Sequence, residues 1–315
     1  MDPTADATAA GLLTGLAAFE ESLFLLRPKL HRYCARMIGS AIEAEDVVQE
    51  TFVNAIEASR RHPDVGNSEA WLFRIAHNMA LDHLRQRARQ QKLASDEDPA
   101  MISDPTDEVY RRQAAAAGLR AFMRLPVAQR SSVILMDVLG YTLIEIGDIT
   151  GSSIPAVKAA LHRGRLQLRA AAGEPEDTPP PVLSAADRAR LSIYVDRFNA
   201  RDFDAIRDML ADDVRLDLVN KTALTGRTGV GRYFSNYDRV HYWYLQLGFV
   251  DRRPAIIVHD PRDSSGKSTY FIVLEWAGER VSNIRDFRHA PYAVEAAEVM
   301  LVNEEPFGSP RKGSK

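Results

Sequence analysis

The sequence lacks the residues that mark several large classes of protein. It holds one cysteine, Cys34, among 315 residues, so no internal disulfide framework can form and no zinc site can be built from thiolates. Cys34 stands between aromatic and basic residues of a helical stretch and reads as a buried or boundary thiol, not a redox centre. Long apolar runs are missing as well. The chain starts with Asp2 and Asp6 where a signal peptide would have a basic start and an apolar stretch, and no later run has the length that spans a bilayer. A cytosolic protein without a membrane segment is expected. His77, His83 and His162 are too scattered to ligate a metal, and no cofactor is expected.

A positive charge excess is also missing: 40 Lys and Arg stand against 43 Asp and Glu, a net charge of -3. On average that disfavours a nucleic-acid partner, whose phosphates need cations. The average conceals segregation. Arg74, Arg85, Arg87, Arg89 and Lys92 share their segment with one acid, Asp82, and Lys158, Arg163, Arg165 and Arg169 share theirs with none. The acids Asp96, Glu97, Asp98, Asp104, Asp107 and Glu108 cluster between those two segments. Separate basic surfaces suit a protein that grips a polyanion at more than one place.

With 45% hydrophobic and 26% charged residues, the chain has material for two or three folded domains. Apolar residues at three- and four-residue spacing predict helices over Phe19 to Ile38, Ile42 to Ala58 and Glu69 to Arg89, with a loop at His62 to Asn67. Helices are expected to resume near Val109, with the Leu125-Pro126 step before a helix over Val127 to Leu139. The run from Gly173 to Pro181 mixes proline and acid and reads as a semi-stiff tether. Beyond it, helices over Ser184 to Asn199 and Phe203 to Leu210 precede four strands, His241 to Leu247, Ala255 to His259, Thr269 to Trp276 and Arg280 to Phe287. The fold class is therefore multidomain: two all-α domains, then an α+β domain with a curved antiparallel sheet. The expected division is 15–92, an acidic linker 93–112, 113–172, a Pro-rich tether 173–183, 184–300 and a flexible tail 301–315.

The sharpest local signal runs from Tyr141 to Leu166. Leu143, Ile146 and Ile149 give one helix an apolar face, Gly151 permits a turn, and Ser153 followed by Pro155 suits the cap and first turn of a second helix. Val157, Leu161 and Leu168 pack inward, which leaves Ser153, Lys158, His162, Arg163 and Arg165 for DNA in a helix-turn-helix. A pair of ordinary packed helices with a solvated basic face is the bland alternative.

The stretch Glu45-Asp-Val-Val-Gln-Glu-Thr-Phe-Val53, followed by Trp71-Leu-Phe-Arg-Ile-Ala-His-Asn-Met-Ala-Leu-Asp-His-Leu-Arg85, resembles region 2 of the extracytoplasmic-function (ECF) sigma factors of the sigma-seventy family. The helix-turn-helix, with its closing His162-Arg-Gly-Arg165, resembles their region 4; Ile154-Pro155 departs from the small residue and valine more usual there. The resemblance implies a sigma factor that binds core RNA polymerase, recognises the minus-10 and minus-35 promoter elements and promotes melting. It implies polymerase contacts at Asp46, Val47, Gln49, Glu50 and Phe52, with Val47, Val48 and Phe52 serving either packing or contact. It implies minus-10 contacts at Asn67, Arg74, Asn78, Arg85, Arg87 and Arg89, in a pocket by the loop His62 to Glu69. Trp71 and Phe73 read as core rather than base-stacking platforms. The acidic linker resembles a nucleic-acid mimic, although a solvated spacer has the same charge.

In the last third, Tyr194 to Leu210, Asp212-Asp-Val214, Gly226 to Tyr233 and Val281 to His289 together resemble a SnoaL-like cone fold. Tyr194, Phe198, Tyr233, Trp243, Asp286 and His289 could line its cavity and hold an unknown small-molecule effector. No spaced acid-base pair emerges, so an enzyme is not expected, and a regulatory role in cis is. Gly226, Gly229 and Gly231 lack the strand-loop-helix setting and lysine of a nucleotide loop. Two other readings stay open: a DNA-binding regulator without sigma activity, and a bifunctional protein that senses or converts a small molecule.

Overall fold

The computed structural model describes residues 3–61, 69–91, 118–172, 179–237, 243–263 and 268–302. It forms two compact units, Met1–Asp177 and Thr178–Lys315.

In the first unit, α1 (Pro3–Ile38), α2 (Ala41–Arg61) and α3 (Glu69–Gln91) pack on one another. α1 begins earlier than apolar spacing predicts and accommodates Pro28 in its interior. Leu30, Tyr33, Met37, Val48, Leu72 and Phe73 are wholly or almost wholly buried. Cys34 is buried too, and burial pushes its thiol pKa up, which keeps it protonated and inert. The loop at 62–68, the acidic linker and the expected helix start at Val109 lie outside the described residues. Next come α4 (Leu119–Met123) and α5 (Val127–Val133), the latter opening at Pro126 and running into a π-helical turn, Ile134–Val138. The helix-turn-helix is α6 (Leu143–Thr150) and α7 (Ile154–Ala172).

The second unit has α8 (Ala185–Asn199), capped by Ser184, whose Oγ accepts from the Asp187 N–H at 3.0 Å. α9 (Phe203–Asp208) ends before Leu210, where β1 (Leu210–Leu218) begins; β2 (Thr222–Thr225) and α10 (Arg227–Tyr237) follow. β3 (Tyr244–Val250), β4 (Arg253–His259), β5 (Ser268–Ala277), β6 (Arg280–Asp286), α11 (Pro291–Ala296) and β7 (Val299–Leu301) complete it. The expected turn at Asp251-Arg252 is a two-residue hairpin loop with positive φ at both residues, 50° and 66°.

Two expectations are corrected here. The sheet is mixed rather than antiparallel, in the order β2-β1-β6-β5-β4-β3-β7, because β1 runs parallel to β6. β1, β2 and β7 were not foreseen: Asp212 and Asp213 break the apolar alternation of β1, and β2 and β7 have only four and three residues. Gly226, with φ 79°, does sit between a strand and a helix, but the strand is a short edge and no lysine follows on α10. Bulges in the β1–β6, β4–β5 and β5–β6 pairings bend the sheet, whose inner face packs against α8, α9 and α10 in one core.

Candidate nucleic-acid interface

α6 starts with a capping box. Thr142 Oγ1 accepts from the Glu145 N–H, and the Glu145 carboxylate accepts from the Thr142 N–H at 2.8 Å. Gly151 ends α6 at φ 69°, a left-handed conformation that suits glycine. Ser153 then caps α7, its Oγ accepting from the Ala156 N–H at 3.4 Å. α7 buries Val157, Ala160, Leu161 and Leu168. Gly164 lets it approach α5 closely, since a Cβ there would fall 2.8 Å from Val133 Cγ2.

The outer surface of α7 exposes Ser153 and Lys158 and half-exposes His162 and Arg163. Arg165, expected to face DNA, turns inward: its Nε and Nη2 donate to the two oxygens of fully buried Asp137 at 2.9 and 2.7 Å. That bidentate pair ties α7 to the π-helical turn and takes Arg165 out of the set of phosphate contacts.

α3 divides cleanly. Leu72, Phe73, Ala76 and Ala80 are buried, whereas Arg74, Asn78, Arg85 and Arg89 are exposed. The intervals between those four, 4, 7 and 4 residues, place them within about 60° of one another at 100° per residue. They make one polar, cationic stripe. Arg85 also pairs with Asp82 at 2.7 Å, an exposed and weak contact. Arg87 leaves the stripe and donates to the Ile38 carbonyl at 3.3 Å. Asn67 lies outside the described residues. Phe73 is core, and Trp71 is half-buried against Leu23, Ala55 and Leu72.

On α2, Asp46, Gln49 and Glu50 are exposed and line a shallow hollow with Val53 and Asn54. Val47, expected among the contact residues, is 2% exposed and belongs to the core. Phe52 is half-buried, with the Arg27 guanidinium 5.2 Å from its ring centre; the same Arg27 holds buried Glu45 by an Nε–Oε1 bond of 2.9 Å.

Sequence reasoning missed the contacts between these helices. Tyr141, just before α6, donates its hydroxyl to Glu69 Oε1 at the start of α3. Lys29 of α1 donates to the same oxygen and lies 4.3 Å from the Tyr141 ring centre. Arg130 of α5, 5% exposed, donates to the carbonyls of Met37 and Leu125. Between α3 and α5–α7 a cleft of about 730 Å³ is lined by His77, Arg85, Ser152, Ala156 and Arg163, among others. A lone lysine, glutamate or tyrosine gives no sequence signal of such pairings.

In the second unit, the residues expected to line a cavity pack together. Tyr194, Phe198, Tyr233 and Asp286 are buried, Trp243 is half-buried, and Phe198 packs edge-on to Tyr237 at 5.1 Å. Asp286 Oδ2 accepts from the hydroxyls of Tyr233 and Tyr237, the latter at 3.1 Å, and Oδ1 accepts from the Arg288 N–H at 2.8 Å. Burial raises the Asp286 pKa, against the pull of these donors. Tyr237, Tyr270 and Arg288 were not foreseen; Arg288 stacks over Trp243 at 4.7 Å. His289 stands half-exposed, its pKa lowered by burial and by Lys221 and Arg288.

A helix-turn-helix and a second helix with an outward cationic stripe fit the chemistry of a DNA-binding protein. The Sigma-70 region 2 family matches residues 25–90 and the Sigma-70, region 4 family matches residues 119–168. The ECF RNA polymerase sigma factor SigE of Mycolicibacterium smegmatis is 33% identical over 174 residues, covering 53% of this chain and 67% of the relative. RNA polymerase sigma factor CarQ of Myxococcus xanthus is 34% identical over 163 residues, covering 50% and 91%. The chain belongs to the ECF RNA polymerase sigma factors and acts in promoter recognition. A snoal-like protein of unknown function from Burkholderia thailandensis is 19% identical to the chain, with a TM-score of 0.27 over 33% of this chain and 97% of that one. Among the described residues no helix is long and apolar enough to cross a membrane, and no group of His, Cys, Asp and Glu could hold a metal ion.

Proposed function

We propose a division of labour within this sigma factor. The exposed Asp46, Gln49 and Glu50 of α2, with the rim of Phe52, dock on core RNA polymerase. The α3 stripe of Arg74, Asn78, Arg85 and Arg89, together with Asn67, tracks the single strand of the minus-10 element during melting. Ser153, Lys158, His162 and Arg163 of α7 meet the minus-35 element in the major groove. Residues 15–92 and 113–172 are the two working domains, joined by the acidic linker 93–112. The tether 173–183 carries the regulatory domain 184–300, whose last strand runs on to Leu301 ahead of a tail. The protein works in the cytoplasm, and no turnover is assigned to the Asp286 cluster, whose packed rings serve as a polar core.

The observation that carries this reading is the sharing of one face of α3 by three arginines and an asparagine, opposite its buried face. Any amphipathic helix turns polar residues outward, but this face carries three arginines against the single acid Asp82.

Reconstituted transcription from a genomic promoter library tests it, using core polymerase with either the full chain or residues 1–172. Specific initiation by both forms is expected, with different open-complex yield or polymerase affinity. Arg74→Ala together with Arg89→Ala should cut open-complex formation and leave polymerase binding intact. Equal behaviour of the full and shortened chains would remove the regulatory role of 184–300. Absence of initiation by either folded form would remove the assignment of the three surfaces.

A further inference from the structure

The first turn of α7 is chemically unusual for a surface that reads DNA. Ile154, Pro155 and Ala156 are all exposed, Ile154 by 42%. None carries a side-chain donor or acceptor, and Pro155 also lacks a backbone N–H. Ser153 Oγ is already engaged as an acceptor by the Ala156 N–H.

Helical geometry says which residues face outward. With Val157, Ala160, Leu161 and Leu168 buried, the direction opposite their mean, at 100° per residue, is occupied by Pro155 and Ala159, one turn apart. Lys158 and His162 lie on the same side. The centre of the outward face is thus apolar and flanked by two nitrogen-bearing side chains. Among the described residues of α7 that face outward over its first two turns there is no amide and no carboxylate, so the pairings that read adenine N6/N7 and cytosine N4 are not available there.

An apolar side chain in the major groove distinguishes base pairs through one feature, the 5-methyl group of thymine. We propose that Pro155 and Ala159 are specificity-determining residues that read thymine methyl groups in the minus-35 element, next to a guanine whose O6 and N7 accept from Lys158. Lys158 borders the strip on one side and Ala156 on the other. The inference rests on the assignment of α7 to the minus-35 element made above.

The test uses the full chain with core polymerase on a promoter obtained from the library. Each minus-35 thymine is replaced in turn by deoxyuridine, which removes the methyl group and leaves the hydrogen-bonding pattern intact. At one or two thymines, holoenzyme binding should fall about fourfold, the value of burying one methyl group, while the same replacement in the spacer has no effect. Ala159→Ser and Pro155→Ser should bring the thymine-to-deoxyuridine ratio towards one. If every minus-35 thymine tolerates the replacement within twofold while Lys158→Ala still weakens minus-35 binding, methyl reading is overturned and the placement of α7 stands. If Lys158→Ala also leaves minus-35 preference unchanged, with minus-10 binding retained, the placement itself falls. The deoxyuridine comparison needs no variant, so a folding defect cannot mimic its result.

Discussion

The two units bury ionisable groups in different settings. The helical unit hides bases and ion pairs: His31, His77 and Arg130, with Arg27 on Glu45 and Arg165 on Asp137. Among the described residues of the sheet unit, Asp286 is the one buried acid, set among tyrosines. The difference follows from where the backbone places its unused groups. Helix ends and turns leave carbonyls unpaired, and cations that donate to them, as Arg130 does to Met37 and Leu125, bind helix to helix. A sheet pairs most of its backbone groups in the ladder, so Asp286 is held by two tyrosine hydroxyls and by one backbone N–H, that of Arg288 just beyond β6.

The largest effect expected from this contrast is in the helical unit. Asp137→Ala strands a guanidinium that is 13% exposed, and should cost about 3–5 kcal/mol, the usual penalty for breaking a buried pair from one side. Hydrogen exchange on the full chain should show the loss within residues 118–172 and leave β3–β6 unaffected. Equal loss in both units would mean that the two do not respond separately.

The pH dependences should run in opposite directions. Burial lowers the pKa of His31 and of His77 from 6.5 to about 4, so their neutral forms favour the fold. That stability is complete above about pH 6.5 and is lost as pH falls towards 4, on the order of 3 kcal/mol for each histidine. Asp286 has the opposite sign. Its raised pKa means that the protonated form favours the fold; the contribution is complete below the unfolded carboxylate pKa, about 3.9, and declines as pH rises above it. Unit-resolved exchange between pH 4 and 8 would read both slopes, and Asp286→Asn should flatten the second while His77→Gln reduces the first. Slopes of the same sign would end the comparison.

Two smaller effects sharpen it. Gly164→Ala presses a methyl group on Val133 and Gln129 and should cost about 1–3 kcal/mol, weakening minus-35 binding more than minus-10 binding in footprints. Tyr141→Phe removes the hydroxyl that bonds Glu69 and should cost about 1 kcal/mol. The Tyr141–Glu69 bond joins α3, proposed to meet the minus-10 element, to the start of α6, which precedes the helix proposed to meet the minus-35 element. The same variant should raise the rate of promoter engagement in stopped-flow binding, and an unchanged rate would deny that the contact restrains opening.

Much of the helical unit was legible in advance because its signals are local. Apolar spacing located α2, α3, α6 and α7, and Gly151 and Ser153 marked the turn between the last two. The cationic segments were visible as composition, but which cations remain at the surface was not: Arg74 and Arg89 stay exposed, Arg165 binds Asp137, and Arg87 turns to the Ile38 carbonyl. Val47 and Asp46 are neighbours in sequence with opposite fates, one core and one surface. In the sheet unit less was legible. β1 carries acids at its exposed positions and pairs in parallel with β6, from more than sixty residues away, a choice that no local pattern records.

The sequence by itself determined the order of the helices, the helix-turn-helix, the segregation of charge and membership of the sigma factors, because each depends on periodicity, capping or a run of neighbouring residues. Tertiary structure alone decided the latch of Tyr141, Glu69 and Lys29, the inward turn of Arg165, the mixed sheet and the tyrosine setting of Asp286. Each of those joins groups distant in the chain, and the energy that selects them, from desolvation, close packing and hydrogen bonds between specific partners, exists only once the backbone has brought them together.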